Sequence, residues 1–193
     1  MNVLTKTLLF SLVLSLMPLV SKVVAPDYQG FNLEAAEDNK KKKRKRIKLP
    51  SKKAQRILQE VQPLLENESW DEALAMLSVM ETDPKFTGTD RARMLWYYGY
   101  IYFSQEKYDK AIRVYKRLIK EPEADWKIQN QARYSLAQLS FIREDYRGSV
   151  YYLLDWIKIE EEPSAQAYSL LATAYFQLEN FKKAKNNIEV AIQ

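Results

Sequence analysis

The chain contains no histidine and no cysteine in 193 residues. This removes serine–histidine–aspartate and cysteine–histidine nucleophile systems, thiolate chemistry, histidine-ligated haem and every common zinc site. Glycine is scarce, with only Gly30, Gly88, Gly99 and Gly148. None of these stands in a G-x-G-x-x-G or G-x-x-x-x-G-K pattern, so no phosphate cradle is written here. The consecutive Glu160, Glu161 and Glu162 leave a helix end in different directions and read as a solvated face. No catalytic residue, cofactor or metal is therefore expected, and the chain reads as a non-enzyme. Hydrophobic residues make up 47% of it, and it carries 13 Tyr, 7 Phe and 4 Trp. That composition belongs to a folded protein, not a disordered one. So many aromatics with so few catalytic residue types point to a binding scaffold.

Charge divides the chain in two. Residues 1–53 hold 12 Lys/Arg against four acids, a net +8, whereas residues 54–193 hold 18 against 21, a net −3. Within the first part, Lys6 precedes the apolar run Leu8–Val20, and Val23-Val24-Ala25 offers small or branched residues for cleavage. Thirteen residues of helix span about 20 Å, short of the ~30 Å hydrocarbon core. Residues 1–25 therefore read as a secretory signal or a short retained anchor. Pro26 disfavours a cut directly after Ala25, and no lipid-bearing cysteine follows.

Residues 26–53 read as a disordered basic linker. Its centre is Lys40, Lys41, Lys42, Lys43, Arg44, Lys45 and Arg46. Like charges this dense repel and stay solvated. Two roles remain open. The run is a spacer, or it contacts an anionic surface such as lipid headgroups or an acidic partner, at about 1 kcal/mol per charge. Nucleic acid is not an expected partner, because no aromatics are interleaved for base stacking.

Residues 54–193 repeat. Glu68-Ser-Trp70-Asp-Glu-Ala73, Glu106-Lys-Tyr108-Asp-Lys-Ala111, Glu144-Asp-Tyr146-Arg-Gly-Ser149 and Glu179-Asn-Phe181-Lys-Lys-Ala184 align, with the aromatics 38, 38 and 35 residues apart. Each stretch joins two segments whose apolar residues step by three and four. Pro84, Pro122 and Pro163 fall where each second helix must stop. Pro63 lies within the first helix of the first unit and leaves that helix's start open. The pattern predicts eight helices in four antiparallel pairs, in units of roughly 54–87, 92–125, 130–163 and 165–193, with no sheet. Gly99, Ala111, Ala137, Ala172 and Ala184 are the small residues that let helices approach. Extra residues relative to a 34-residue repeat are placed as insertions at 86–90 and 123–128.

These units resemble the tetratricopeptide repeat (TPR). Leu95, Tyr98, Gly99, Tyr102, Tyr108, Ala111, Tyr115 and Leu118 meet the family's landmarks in the second unit. Tyr168, Leu171, Ala172, Tyr175, Phe181, Ala184, Ile188 and Ala191 meet them in the fourth. The third departs at Arg133 and Ser149, and the first at Val61. The resemblance implies an all-α, right-handed superhelical solenoid of about four TPR hairpins. Its first helices would line a groove for a protein segment. The groove positions fall on Arg93, Trp96, Tyr97, Tyr100, Phe103, Tyr134, Gln138, Phe141, Thr173 and Phe176. The Lys and Asn clamp with which some members grip a terminal carboxylate is absent, so an extended or helical internal segment suits this groove better.

The blocks around Trp96-Tyr-Tyr-Gly-Tyr100, Leu136-Ala-Gln-Leu-Ser-Phe141 and Arg143-Glu-Asp-Tyr146 further resemble periplasmic TPR proteins associated with the TonB–ExbB–ExbD system of Gram-negative bacteria. That resemblance implies an exported periplasmic scaffold, inner-membrane association, and TonB-system components as partners. An adaptor of outer-membrane assembly or of secretion is the alternative. With no polar capping helix after the fourth unit, self-association through its end face is a further expectation.

Overall fold

The computed structural model describes residues 49–192. Among them there are eight α-helices and no strand: α1 Lys52–Glu66, α2 Trp70–Thr82, α3 Gly88–Ser104, α4 Tyr108–Leu118, α5 Trp126–Ile142, α6 Tyr146–Ile157, α7 Ala165–Gln177 and α8 Phe181–Ala191. They form four hairpins, α1–α2 through α7–α8. The signal or anchor at residues 1–25 and the basic run Lys40–Arg46 lie outside the described residues. No helix among the described residues is long and apolar enough to cross a membrane.

The turn inside each hairpin falls on the glutamate that begins the repeated motif. Glu68, Glu106, Glu144 and Glu179 all adopt a left-handed conformation, with φ of 56–60°. In each case the next residue's N–H reaches back to the first helix: Ser69 to the Leu64 carbonyl, Lys107 to Tyr102, Asp145 to Ser140 and Asn180 to Tyr175, at 2.8–2.9 Å. The glutamate's own N–H bonds a carbonyl three residues back. This is the Schellman arrangement, which satisfies carbonyls left orphaned at a helix end. A non-glycine residue here costs roughly 1 kcal/mol, which the recovered hydrogen bonds offset.

The loops between units are closed by caps from the incoming helix. Thr87 and Asp90 form a reciprocal capping box at α3, and the buried Asp90 carboxylate also accepts from the Ser51 N–H at 2.7 Å. At the next junction, Gln129 Nε2 donates to the Ile119 and Glu121 carbonyls, holding the C-terminus of α4. Asn130 Nδ2 donates to Glu160 Oε2 at 2.9 Å, so one of the three consecutive glutamates serves the α6–α7 junction.

The extra residues placed at 86–90 and 123–128 lie in part within the first helices, which begin at Gly88 and Trp126. The first helices α3 and α5 have 17 residues each, against 13 in α7. The difference is one turn added at the N-terminus, and it accounts for the 38-residue spacings. Pro63 sits in the last turn of α1, exposed, and the helix continues to Glu66.

Packing is layered. Each first helix contacts the second helix of its own unit and that of the unit before. The first helices also touch one another, α1 on α3 and α3 on α5. They accordingly bury residues on several faces, including Met94, Leu95, Tyr98 and Ile101 in α3 and Ile128, Leu136 and Leu139 in α5. Second helices bury a narrow stripe, namely Ala111, Tyr115 and Leu118 in α4 and Ser149 and Leu153 in α6. Gly99 is glycine because the Tyr115 ring lies against its Cα: a Cβ there would overlap ring atoms Cε1, Cζ and Cδ1. The departures from the repeat pattern are accommodated differently. Val61 is fully buried, whereas Ser149 is fully buried with its Oγ unpartnered.

Candidate protein-binding groove

The inner face of α3 presents a continuous run of rings. Trp96 and Tyr100, one turn apart, stack nearly parallel, with centroids 6.2 Å apart and planes at 6°. Tyr97 meets Trp96 edge-on at 5.3 Å. Tyr100 continues to Trp70, at the start of α2, at 6.3 Å. Trp96 and Tyr100 remain half-buried, each with one face on protein. Neighbouring rings restrain their rotamers before any ligand arrives, which lowers the entropic cost of binding.

In the next unit Tyr134 packs against Trp156 at 5.1 Å. Burial pushes the Tyr134 phenol above its ordinary pKa, so it acts here as a neutral hydrogen-bonding group. Gln138, one turn on, is half-buried.

Arg93 is tied down. Its Nη2 lies 2.8 Å from Asp125 Oδ2, and Asp125 also caps α5 by accepting the Ile128 N–H. The arginine therefore bridges two units, and its buried Nε has no hydrogen-bond partner. Arg133 makes a similar bridge within its unit, from Nε to Asp155 Oδ2 at 2.7 Å. Charge-assisted pairs of this kind, with partly buried partners, hold the helices at fixed spacing.

Several residues expected on the groove are placed otherwise. Tyr97 and Phe141 are buried, at 6% exposure each, so neither presents an open face to a ligand. Phe103, Phe141 and Phe176 each pack on the aromatic that starts their own second helix: Tyr108 at 5.9 Å, Tyr146 at 5.3 Å and Phe181 at 5.4 Å. They close the hairpin turn. Thr173 donates its hydroxyl to the Ser169 carbonyl of its own helix. Two aromatic groups result: Trp96 and Tyr100 with Trp70 from a second helix, and, one unit on, Tyr134 with Trp156, with the half-buried Gln138 one turn beyond Tyr134.

Those two tryptophans were not expected at the groove. Trp70 reads in sequence as a turn residue, like Tyr108. Trp156 stands where Leu118 stands one unit earlier, and leucine in that place is buried. A tryptophan is too long for the leucine site, and that size mismatch is the signal that could have drawn attention to it. The fourth unit leaves apolar surface bare: Phe176 and Phe181 are each 58% exposed, and Ile188, Val190 and Ile192 are exposed as well.

Comparison with known proteins agrees with this architecture. The family model described as Tetratricopeptide repeat matches residues 92–125 and 165–193, so these two segments are similar to tetratricopeptide repeats, within an all-α solenoid. Among solved structures the chain is similar to MamA, residues 41 to the end, from Desulfovibrio magneticus RS-1. The identity is 21% and the TM-score 0.61, over 74% of this chain and 75% of that one. At that identity the likeness is one of fold. No curated protein matches the sequence. Tetratricopeptide repeats in general bind other proteins, and the fold provides no catalytic machinery of its own.

Proposed function

We propose that this protein is an interaction scaffold that holds a segment of a partner protein along α3 and α5. The observation that carries the reading is the Trp96–Tyr100 stack, half-open and braced by Tyr97 and Trp70. Rigid aromatics of this kind supply most of the binding energy at protein interfaces. The polar groups beside them, from Tyr134 and Gln138, suit a peptide backbone or amide better than a free carboxylate.

The finer reading is an exported, periplasmic scaffold accessory to TonB-type energy transduction. Its support is the resemblance of the Trp96–Tyr100, Leu136–Phe141 and Arg143–Tyr146 blocks, together with the apolar start at residues 1–25. In this reading the run Lys40–Arg46 contacts anionic lipid.

The test is cross-linked capture from periplasmic and inner-membrane fractions with wild type, Trp96→Ala, and a variant with Lys40–Arg46 changed to Gln. Trp96→Ala should weaken partner affinity by about 2 kcal/mol while the thermal midpoint falls less. The tail variant should lose only salt-sensitive membrane attachment. A folded Trp96→Ala protein that keeps every partner, beside a tail variant that loses them all, would move the working surface to the basic segment. Capture that includes no TonB-system component would remove the finer reading and leave the scaffold.

A further inference from the structure

The second helices of the middle units leave a space between them that is not filled. A cleft of about 390 Å³ lies between α4 and α6, over the end of α5. Ile112, Tyr151 and Tyr152 provide its apolar lining, and Lys116, Arg143 and Arg147 its charge. Arg143 also borders a neighbouring hollow of about 360 Å³ that carries Lys107, Lys110 and Arg113. The two form one surface on the layer opposite the first-helix groove.

The charges on this surface are poorly neutralised. Lys116, Arg113 and Arg147 pair with no carboxylate among the described residues. Arg143 reaches Asp109 at 3.3 Å with both side chains more than half exposed, a pair worth little in water. Asp145, the carboxylate lining the larger cleft, is committed to capping α6, where it accepts the Gly148 N–H at 2.9 Å. Amid these cations Tyr151 is 65% exposed, fixed edge-on against Tyr152 at 5.1 Å. Tyrosine and arginine are both enriched in interface hot spots. The cationic character is local, since α2 exposes Asp71, Glu72 and Glu81 instead.

We propose that the α4–α6 cleft is a second docking site, for an acidic segment of a protein partner that also carries an aromatic or leucine side chain. Charge complementarity selects the acidic segment. The concave apolar lining selects a side chain that inserts. The surface fits a protein better than a membrane or a nucleic acid, because Glu106, Asp109 and Asp145 interrupt the cations. Those carboxylates would press against any continuous array of phosphates, whereas a peptide can place its own charges between them. A scaffold with this site and the groove could hold two partners on opposite faces.

The test uses the full chain and a fluorescein-labelled short peptide in which glutamate alternates with phenylalanine and leucine. Fluorescence anisotropy follows binding at low and physiological salt, with circular dichroism as the check on folding. The proposal expects salt-sensitive binding that Lys116→Glu with Arg147→Glu weakens about tenfold or more. Lys182→Glu with Lys185→Glu, the same charge change on α8, should leave it within about twofold. Equal weakening by the two pairs would show an effect of net charge alone and overturn the proposal. So would absence of peptide binding. Tighter binding of phosphatidylglycerol vesicles or single-stranded DNA through Lys116 and Arg147 would assign the surface to those ligands and reject a protein segment. A wild-type dimer that the Lys116/Arg147 variant dissolves would make a second copy the occupant, which also overturns it.

Discussion

The first-helix layer and the second-helix layer are built from the same repeat, yet they meet their surroundings differently. α3 and α5 are packed on several sides, by their own partners, by the preceding unit and by each other. α4 and α6 are packed on one side. In the inner layer, polar groups are consumed internally: Arg93 by Asp125, Arg133 by Asp155, Asn130 by Glu160. In the outer layer, Arg113, Lys116 and Arg147 are left to solvent. The difference follows from burial. Where polar side chains are buried, pairing offsets the roughly 1–3 kcal/mol that an unmet group costs, although Arg93 Nε, Gln105 Oε1 and Asn130 Oδ1 stay unpartnered. Where side chains are exposed, as Arg113, Lys116 and Arg147 are, water serves, and the surface is free to carry charge for other purposes. The inner layer is therefore preorganised and aromatic, and the outer layer is charged.

The largest expected effect comes from putting a charge into the contact between the layers. Ala111 is fully buried on α4. Ala111→Arg should lower stability by more than about 3 kcal/mol, from overpacking plus an unpaired buried charge. Lys110→Ala, one residue away and exposed, should change it by less than about 0.5 kcal/mol. Thermal melts of both compare the two sides of one helix, and equal melting temperatures would break the layered picture. Gly99→Ala is the matched test from the inner layer. Its Cβ would overlap the buried Tyr115 ring, so denaturant unfolding should show a loss of about 1–3 kcal/mol. A neutral result would mean that the α3–α4 contact is looser than the structure has it.

Smaller effects sharpen the comparison. Ser149→Ala restores the small apolar residue of the other units and removes an unpartnered hydroxyl. Stability should rise by about 1 kcal/mol, and a fall would show that the hydroxyl is satisfied in solution. The last expectation concerns alkali. Burial first, and Glu81 second, push the Tyr98 phenol up to about 12. Burial raises Tyr115 also, against a smaller opposing effect of its hydrogen bond with Ser135. Unfolded tyrosine ionises near 10. The folded state thus holds these protons more tightly, so stability is whole below about pH 10 and declines as pH rises towards 12. Urea midpoints measured across that range should fall. The decline should be smaller in Tyr98→Phe, which has one fewer phenol to ionise.

Much of the architecture was legible before any coordinates. The stretches at Glu68, Glu106, Glu144 and Glu179 locate the four hairpin turns, and the three-and-four spacing around them locates the helices, because helical periodicity and turn chemistry are local properties. Chain-termination signals such as Pro84 and Pro122 worked for the same reason. The extra residues were located at 86–90 and 123–128, but that they add a turn to α3 and α5 was not legible. Thr87 and Asp125 act as N-caps only if the helix begins beside them, and nearby Gly88 and Pro122 read equally well as loop residues.

The groove was only partly legible. Trp96 and Tyr100 could be assigned to a common face because they lie one turn apart on one helix. Whether a ring on that face is open or covered depends on the neighbouring helices, and for Tyr97 and Phe141 they cover it. Trp70 and Trp156 reach the groove from second helices, across contacts that no spacing encodes. The α4–α6 cleft is further still from the sequence, since its walls come from two second helices some 38 residues apart in the chain. Sequence by itself determined the composition, the repeat, the helices and the turns, all of which depend on residues within about one helical turn of one another. Tertiary structure alone decided which aromatics stay exposed and which cations stay unpaired, because exposure and pairing depend on groups brought together by packing from units some 38 residues apart.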